Sequence, residues 1–388
     1  MFVYLDNSAT TKQYREVNQA MIYAMEQNFG NPSSLHGLGL GAEKKVKEAR
    51  KIFAASLSAK EDEVYFTSGG TEADNTVIFG ISEAKKRMGN KIITTRVEHP
   101  AVLEACKRLE QKNYEIVYIG VDQKCRFNLE ELRDAIDDKT ILISVMSVNN
   151  ENGTVMPLKE IDEIRKEYNK NHGCGILFHT DGVQGYGKIN MKNTGADLIS
   201  VSGHKIHGPK GIGGLYINKS VTLPSYIVGG GQEKNIRSGT ENVPGIIGFG
   251  TAIKLMENNF ENRINSMGEV RKYLLEGIKA EVKDILINSI EGEGAAPSVL
   301  NISFLGTRGE VLLHTLEQDR IFVSTGSACS SNKKGQSHVL KAMGLTDKEI
   351  EGAIRFSFNE FNTKEEMDYV IDKIKLAVGR FRRLGSYR

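Results

Sequence analysis

The sequence predicts an α/β fold in which helices cover both faces of a mostly parallel sheet. Over the first two thirds of the chain, strand-like apolar runs alternate with segments whose apolar residues recur at helical spacing. Such alternation is typical of parallel sheets, because parallel strands need a crossover connection between them. The strand-like runs are 63–67, 91–97, 114–119, 140–148, 175–180, 196–201 and 212–217. The helical segments are 41–57, 71–87, 100–112, 129–137 and 157–171.

The pattern changes after about residue 255 and predicts a smaller α+β domain. A long charged helix is expected to run to about 286. The later elements are expected to be strands at 299–304, 321–324 and 353–358 and helices at 309–318, 337–351 and 363–383. A chain of 388 residues is long enough for two domains. We therefore predict a large domain over 14–255 and a small domain formed by 1–13 and 256–388, with the extreme N-terminus packed beside the C-terminal part.

Composition gives no indication of a nucleic-acid or membrane partner. The 51 basic and 49 acidic residues nearly balance, which leaves a formal net charge of +2. No apolar run approaches the ~20 residues of a membrane span, and the start of the chain lacks the basic-then-apolar layout of a signal peptide. The four cysteines show no paired spacing, so neither a disulfide framework nor a zinc site is indicated. A cytoplasmic location is expected.

A lysine at the end of a predicted strand is the first candidate for chemistry. Lys205 follows the apolar run 196–201 in a glycine-rich turn and is flanked by Ser202 and His204. Most lysines lie on solvated faces, and this alternative applies to Lys205 when it is considered alone. An amine held at a strand end suits a Schiff base with a carbonyl cofactor such as pyridoxal phosphate. That interpretation requires a carboxylate for the pyridine nitrogen and a binding site for the phosphate.

Both requirements have candidates upstream. Asp181 ends a strand-like run, at the sheet edge where open α/β sheets bind ligands; its alternative role is to cap a following helix. The run 64–68 is followed by Gly69, Gly70 and Thr71 and then by a helix, whose N-terminal N–H groups and positive dipole end attract a phosphate. Many helix starts look like this, so the motif is weak evidence alone. Together with Asp181 and Lys205 it indicates a site.

His99 is a third candidate at the same predicted edge. It ends the strand-like run at 92–98 and precedes Pro100, which suits the first turn of a helix. An imidazole there can stack on a cofactor ring and move protons near neutral pH. The alternative is a polar loop residue, and only the shared edge with Asp181 and Lys205 favours a catalytic role.

Cys329 lies in a small, polar, glycine-containing stretch that is expected to be a surface loop over about 324–336. A free cysteine is more often a buried apolar residue, so this location is unusual. An exposed thiol near Lys333 and Lys334 would be partly ionised and nucleophilic. The alternative is an incidental surface cysteine.

These motifs together resemble one family over essentially the whole chain. The matching stretches include YLDNSATT at 4–11, GNPSSLHGLG at 30–39, FTSGGTEADNT at 66–76, HTDGVQ at 179–184, SGHKIHGPKGIGGLYI at 202–217, GGGQEKNIRSGTEN at 229–242, VSTGSACSS at 323–331 and IRFSFNEFNT at 354–363. The chain resembles the NifS/IscS-type cysteine desulfurases, in the class V aminotransferase group of fold-type I pyridoxal-phosphate enzymes. The resemblance implies an α/β large domain with a mostly parallel seven-stranded sheet and a smaller α+β domain that carries the cysteine loop.

The resemblance implies pyridoxal 5'-phosphate as the cofactor, with Lys205 bound to its carbonyl carbon and later shuttling protons. Asp181 would pair with the pyridine nitrogen, Gln184 with the ring hydroxyl, and His99 would stack on the ring as acid and base. The residues implied to complete the cofactor site are Gly70, Thr71, Asn150, Ser202 and His204, with Thr240. Thr240 would reach the phosphate bound by the partner subunit, so a homodimer is implied.

The implied substrate is L-cysteine. Arg355 would bind its α-carboxylate bidentately, with Asn150 beside it. Cys329 would attack the substrate sulfur, leaving L-alanine and a cysteine persulfide. A sulfur-acceptor protein, such as an iron–sulfur scaffold or a tRNA-thiolation enzyme, would then take the sulfur for iron–sulfur cluster, thio-cofactor or tRNA biosynthesis. No intrinsic metal is implied; the one expected metal contact is a transient iron–sulfur contact through Cys329.

Several positions depart from the family pattern, and alternatives remain. Gly182 stands where the family usually has alanine, and the stretch 332–336 is more basic than usual, which leaves the acceptor open. A selenocysteine lyase or a cysteine-sulfinate desulfinase would use the same fold. A non-enzymatic, cofactor-binding scaffold is disfavoured by the intact set of reactive residues. An ordinary aminotransferase is disfavoured because it needs no nucleophilic loop thiol.

Overall fold

Strands and helices alternate along the first two thirds of the chain, as the sequence predicts. The computed structural model describes residues 1–326, 336–383 and 385. Its strands are β1 (Val3–Tyr4), β2 (Val64–Thr67), β3 (Lys91–Thr95), β4 (Glu115–Ile119), β5 (Thr140–Ser144), β6 (Leu177–Asp181), β7 (Leu198–Ser202), β8 (Gly213–Ile217), β9 (Ile285–Ile287), β10 (Val299–Phe304), β11 (Ile321–Phe322) and β12 (Ala353–Ser357). Its α-helices are α1 (Arg15–Gln27), α2 (Gly37–Ser56), α3 (Gly70–Ala84), α4 (Pro100–Glu110), α5 (Leu129–Ala135), α6 (Leu158–His172), α7 (Val243–Asn258), α8 (Phe260–Glu281), α9 (Gly309–Gln318), α10 (His338–Ala342), α11 (Asp347–Glu351) and α12 (Lys364–Arg383).

The main sheet has seven strands within the described residues, in the order β2-β8-β7-β6-β5-β3-β4. β8 runs antiparallel to both of its neighbours, and the other neighbouring pairs are parallel. The predicted seven-stranded, mostly parallel sheet is confirmed. Because β2, β3, β6 and β7 point the same way, their carboxyl ends lie at one edge of the sheet.

Helices cover both faces of this sheet. Ile93 of β3 lies in a core that includes Phe53 of α2 and Phe249 of α7. Its neighbour Ile92 lies in a second core that includes Val77 of α3. Successive residues of a strand point to opposite faces, so the continuous apolar sequence of β3 reflects burial on both sides.

A second body of structure surrounds a three-stranded antiparallel sheet in the order β12-β10-β9. Its core contains residues of α8, α9 and α12 together with Val3 and Leu5 from the start of the chain. β1 pairs in parallel with β11, so the N-terminal segment lies beside the C-terminal part as expected. The domain boundaries after residues 13 and 255 stay a prediction. No helix in the described ranges is long and apolar enough to cross a membrane.

One expectation about the helices was wrong. The long charged helix ends at Glu281 rather than near 286, because residues 285–287 instead form β9 against β10. Asn259, with non-helical dihedral angles, separates that helix from α7. The helices predicted within 337–351 are observed as α10 and α11. Sequence periodicity also missed α1, which buries only Val17 and Ala24 and leaves other apolar side chains exposed.

Gly214 allows α2 to approach the main sheet closely. A Cβ atom there would lie 2.3 Å from Cε1 of Phe53, which is fully buried and cannot move aside. We expect Gly214→Ala to lower the free energy of unfolding by about 1–3 kcal/mol, the usual range for overpacking a core. Urea denaturation followed by circular dichroism measures the change.

Gly379→Ala is the matched control, because a Cβ at Gly379 in α12 meets no atom within 4 Å. Alanine favours a helix interior over glycine by up to about 1 kcal/mol, so this variant should be as stable as the parent or slightly more stable. Equal destabilisation by both substitutions would contradict the assigned close contact.

Candidate active site

Lys205 lies at the carboxyl edge of the main sheet, in a short 3₁₀ turn (Gly203–Lys205) directly after β7. Its Nζ donates to the backbone carbonyl oxygens of Ser8 at 2.6 Å and Ala9 at 2.7 Å. The N-terminal turn that supplies these carbonyls is itself bonded to β12, through the Ser8 N–H and the Oγ of Ser357 at 2.8 Å. The amine is therefore held in place by a segment remote in sequence.

Asp181 is the last residue of β6, beside β7, and is buried. Its Oδ1 accepts a hydrogen bond from the N–H of Val183 at 2.9 Å. Burial raises the pKa of Asp181, and the charges of His99 and Lys205 oppose that rise. No helix begins directly after Asp181, so the alternative role as a helix cap is wrong. A buried carboxyl group near these side chains suits a protonated ring nitrogen.

His99 is the N-cap residue of α4 and lies close enough to Asp181 and Lys205 to interact with their charges. Its Nδ1 accepts from the N–H of Ala101 at 3.1 Å, so its neutral form has the proton on Nε2. Burial lowers the pKa of His99 below its ordinary 6.5; Asp181 raises it and Lys205 lowers it. His99 is therefore neutral near pH 7 and has one N–H to donate.

The start of α3 follows β2 after a sharp turn at Gly69, whose φ is +154°. No side chain caps this helix. A Cβ at Gly70 would lie 2.5 Å from Cγ2 of Val183, so glycine is needed where the helix start approaches the segment after β6. The buried Ser202 lies beside both glycines, and Thr71 is exposed on the first turn of α3. The helix N-terminus thus offers backbone donors at the same edge as Lys205.

Two other predicted phosphate-binding residues have different surroundings. His204 is close to Thr10, with 3.1 Å between its Nδ1 and the threonine Oγ1. Burial, followed by the charge of Lys205, lowers the pKa of His204 to about 3, so its ring is neutral. Thr240 is exposed, and its segment touches the start of α3 in the same chain, because Arg237 Nε lies 3.1 Å from Glu72 Oε1. Sequence alone gives no reason to expect that contact.

Gln184 and Lys188 form a buried pair beside the amine. Gln184 Nε2 donates at 3.0 Å to the Ser8 carbonyl, which also accepts from Lys205. Lys188 Nζ donates to Gln184 Oε1 at 3.4 Å, which orients the amide. Burial, and after it the charge of Lys205, lowers the pKa of Lys188 to about 7. Sequence reasoning missed Lys188, since a lysine in a non-helical stretch gives no sign of burial.

Arg355 lies in β12 and is buried. Its Nη1 donates to the backbone carbonyl of Asn150 at 3.0 Å, and its Nη2 to Oδ1 of Asp6 at 2.9 Å. Asn150 is half-buried and meets Arg355 through its main chain. The predicted pairing of these two residues in one region is observed, and Asp6 is an addition that sequence reasoning missed.

Cys329 lies outside the described residues, but both flanks of its segment are attached to the site. Ser324 exchanges backbone hydrogen bonds with Arg355, of 3.2 Å and 2.6 Å. After the segment, the hydroxyl of Ser337 bonds to the buried Glu151, and His338 Nε2 lies 3.0 Å from the carbonyl oxygen of Glu98. The chain therefore leaves and re-enters the described structure beside Arg355 and the start of α4.

Buried acids and a histidine lie behind this edge. Burial raises the pKa of Asp74 on α3, with the charge of Asp181 adding to the rise. Burial also raises the pKa of Glu98 to about 8, and lowers that of His179 to about 3. Sequence reasoning missed them because Asp74 and His179 lie inside a helix and a strand, and Glu98 lies in the short connection between β3 and α4, where no local pattern indicates burial. Near neutral pH, Glu98 and His179 stay uncharged, so neither adds a charge behind Asp181 and Lys205.

The residues at this edge fit pyridoxal phosphate. Lys205 supplies an amine, and Asp181 a buried carboxyl group. The uncapped start of α3 supplies backbone donors for a phosphate where Gly70 leaves no room for a side chain. Gln184 supplies an amide oriented by Lys188.

Known proteins resemble this chain in both sequence and fold. The model of the aminotransferase class-V family matches residues 3–370. The chain belongs to the aminotransferase class-V family. It is 43% identical over 373 residues to a cysteine desulfurase IscS of Clostridium botulinum (strain Hall), covering 95% of this chain and 92% of that one. It is 44% identical over 384 residues to a cysteine desulfurase IscS of Methanosarcina thermophila, covering 98% and 93%. A solved structure of a NifS-like protein superposes with a TM-score of 0.91 at 37% identity, covering 98% of this chain and 100% of that chain.

Glu98 makes stability depend on pH. Its carboxyl group keeps its proton in the folded chain up to about pH 8 but loses it near 4.5 when unfolded. The folded state therefore loses stability as the pH rises from 4.5 to about 8. Glu98→Gln removes this ionisation and keeps the Oε1 acceptor that Thr95 and Met146 use. We expect the variant to gain stability relative to the parent as the pH rises, measured from urea midpoints across this range.

Glu104→Gln on the exposed side of α4 is the control for the same chemical change. The protonated state assigned to Glu98 would be contradicted if the stability difference between Glu98→Gln and the parent stayed constant with pH. It would also be contradicted if the stability difference between Glu104→Gln and the parent grew equally with pH.

Proposed function

We propose that this chain is a cysteine desulfurase that uses pyridoxal 5'-phosphate to move sulfur from L-cysteine to Cys329. One observation carries the proposal: Arg355, a buried cation suited to a carboxylate, pairs through its backbone with the segment that leads to Cys329. The N-terminal turn links Arg355 to Lys205, since Asp6 binds one and Ser8 the other. Identity of 43% and 44% to two cysteine desulfurases over nearly the whole chain supports it.

Pyridoxal phosphate would supply, when bound, an electron-withdrawing ring that accepts the electron pair released at the substrate α-carbon. Asp181 would keep the ring nitrogen protonated, because a buried carboxylate is stabilised by a facing cation. His99 would stack on the ring and exchange the proton on its Nε2. Lys205 would hold the cofactor carbonyl and later move protons at the α-carbon, and Gln184 would donate to the ring hydroxyl.

Phosphate and substrate would each meet residues already described. Gly70, Thr71, Ser202 and His204 would bind the phosphate, with His204 as a neutral donor because its ring holds no charge near pH 7. Arg355 and Asn150 would hold the α-carboxylate of cysteine. A guanidinium suits that role because its fork of N–H donors matches the two carboxylate oxygens.

Sulfur transfer would need only the substrate and one thiol. The Cys329 thiolate attacks the substrate sulfur, forming an S–S bond while the substrate Cβ–S bond breaks. The electron pair of that bond stays on Cβ, which takes up a proton and becomes the methyl group of alanine. L-cysteine and the enzyme thiol thus give L-alanine and an enzyme persulfide, with no external oxidant or reductant.

The proposal includes an acceptor protein for the persulfide sulfur, of the iron–sulfur scaffold or tRNA-thiolation kind, and a cytoplasmic location. The cysteines among the described residues, Cys106, Cys125 and Cys174, are free, which suits a reducing compartment.

A homodimer is part of the proposal. Exposed apolar side chains concentrate in α1 and the following segment, up to the first turn of α2: Ile22, Tyr23, Met25, Phe29, Leu35, Leu38 and Leu40. Apolar surface of this kind is typical of a protein–protein interface. Thr240 would cross that interface to the partner's phosphate, so each site would be built from two subunits.

Two substitutions should separate the carbonyl chemistry from the sulfur chemistry. Lys205→Ala should lack the visible absorption of bound cofactor after reconstitution and desalting, because the amine that bonds the cofactor is gone. Cys329→Ala should keep that absorption, change its spectrum when L-cysteine is added, and release sulfide more than about a hundredfold more slowly with a thiol reductant present.

Cys174→Ala is the control, since Cys174 is half-exposed and precedes β6, at the end of that strand opposite Asp181. Near-parental sulfide release by Cys329→Ala would show that another group is the nucleophile. A parent protein that stays colourless with added cofactor would refute the cofactor assignment.

Hybrid dimers test the shared site. Thr240→Arg and Lys205→Ala homodimers should each be inactive. In a mixed dimer, the site with an intact Lys205 would receive an intact Thr240 from the other subunit, so part of the activity should return. If Thr240 serves its own chain, near the start of α3, mixing would restore nothing even where subunit exchange is demonstrated by tagged chains.

A further inference from the structure

Arg355 is already bound by its own chain. Its side chain is 4% exposed, with Nη2 2.9 Å from Asp6 Oδ1 and Nη1 3.0 Å from the Asn150 carbonyl. Its Nε is buried and has no hydrogen-bond partner among the residues that the structure describes. One carboxylate therefore neutralises the guanidinium, and these two hydrogen bonds leave Nε and one N–H on each Nη unused.

The backbone fixes Asp6 against β12. Asp6 forms a β-bridge with Ser357, and Ser357 N–H donates to the carbonyl of Leu5 at 2.7 Å. On the other side of Asp6, Asn7 Nδ2 donates to the Ser357 carbonyl at 2.8 Å. The Asp6 side chain is 22% exposed, so solvent reaches the carboxylate that contacts Arg355. The carboxylate is thus held next to Arg355 at a position that a small ligand can approach.

A second carboxylate at Arg355 would interact with Asp6 as well as with the guanidinium. A buried cation without an anion is costly, which favours the Asp6 contact in the ligand-free chain. When a substrate carboxylate arrives, it gains attraction to Arg355 but meets the negative charge of Asp6 at short range. If Asp6 stays in contact, this repulsion lowers the affinity; if Asp6 turns away, the lost attraction between Asp6 and Arg355 lowers it instead.

We propose that Asp6 is the resident counter-ion of Arg355 and that its charge weakens the binding of amino-acid carboxylates, so that product can leave. The identity of the amino acid rests on the proposed function, whereas the contact itself does not. Asp6 acts through Arg355 and is a positioning residue for the carboxylate.

The test uses 3-mercaptopropionate, which has the carboxylate and thiol of the substrate but no amine to react with a cofactor carbonyl. Its dissociation constant is measured by titration calorimetry on the cofactor-loaded protein. Asp6→Asn keeps the shape and the acceptor oxygen but removes the charge, and should bind the probe roughly three- to tenfold more tightly. Asp6→Glu should bind it like the parent.

A double-mutant cycle adds a readout that a purely structural role would not produce. In an Arg355→Gln background, Asp6→Asn should no longer change the affinity. Asp368→Asn is the charge-matched control; it lies on α12, where its Oδ1 accepts from Tyr273 at 2.7 Å. Its affinity for the probe should equal that of the parent.

Unchanged or weaker binding by Asp6→Asn would overturn the inference, as would equal tightening by Asp368→Asn. Failure of both the parent and Asp6→Asn to bind the probe would overturn it too, because Asp6 would then oppose no ligand. None of these results decides whether sulfur is released from cysteine, which the Cys329→Ala experiment measures separately.

Discussion

The carbonyl oxygens of Ser8 and Ala9 hold the amine of Lys205, and the rest of the site depends on that contact. The same turn binds Arg355 through Asp6 and Gln184 through the Ser8 carbonyl. One short N-terminal segment therefore fixes the distance between the carbonyl-binding amine and the carboxylate-binding guanidinium. Two backbone acceptors impose a direction on a long, flexible side chain that a three-residue 3₁₀ turn could not impose alone.

Charge at this edge is set by burial and by neighbouring groups rather than by residue type. The charges of Asp181 and Lys205 act on the pKa of His99, and those of His99 and Lys205 on the pKa of Asp181, whereas desolvation keeps Glu98 and His179 neutral. A site with few charges, of both signs, has a small net charge, which suits a zwitterionic amino acid. The proposed opposition between Asp6 and a substrate carboxylate follows the same physics, because close like charges in a poorly hydrated region repel strongly.

The sequence could locate those site residues that lie at the ends of strands. Asp181 and Lys205 end or follow apolar runs, and parallel strands bring their carboxyl ends to one edge, so both were expected there and both are found there. Helix bounds were less well predicted: α1 was missed because its apolar side chains face outward, and β9 was assigned to a helix because its pairing with β10 is not a local property. Cys329 and the boundaries between domains stay predictions.

The sequence by itself determined the fold class and which reactive groups stand at the edge of the main sheet, because apolar periodicity and strand-end position are local features. Only the tertiary structure decided what holds those groups. Asp6 and Arg355 are 349 positions apart, and Lys205 and Ser8 are 197 apart. Contacts at such separation arise when elements remote in sequence pack against one another, and no local pattern of residues encodes them.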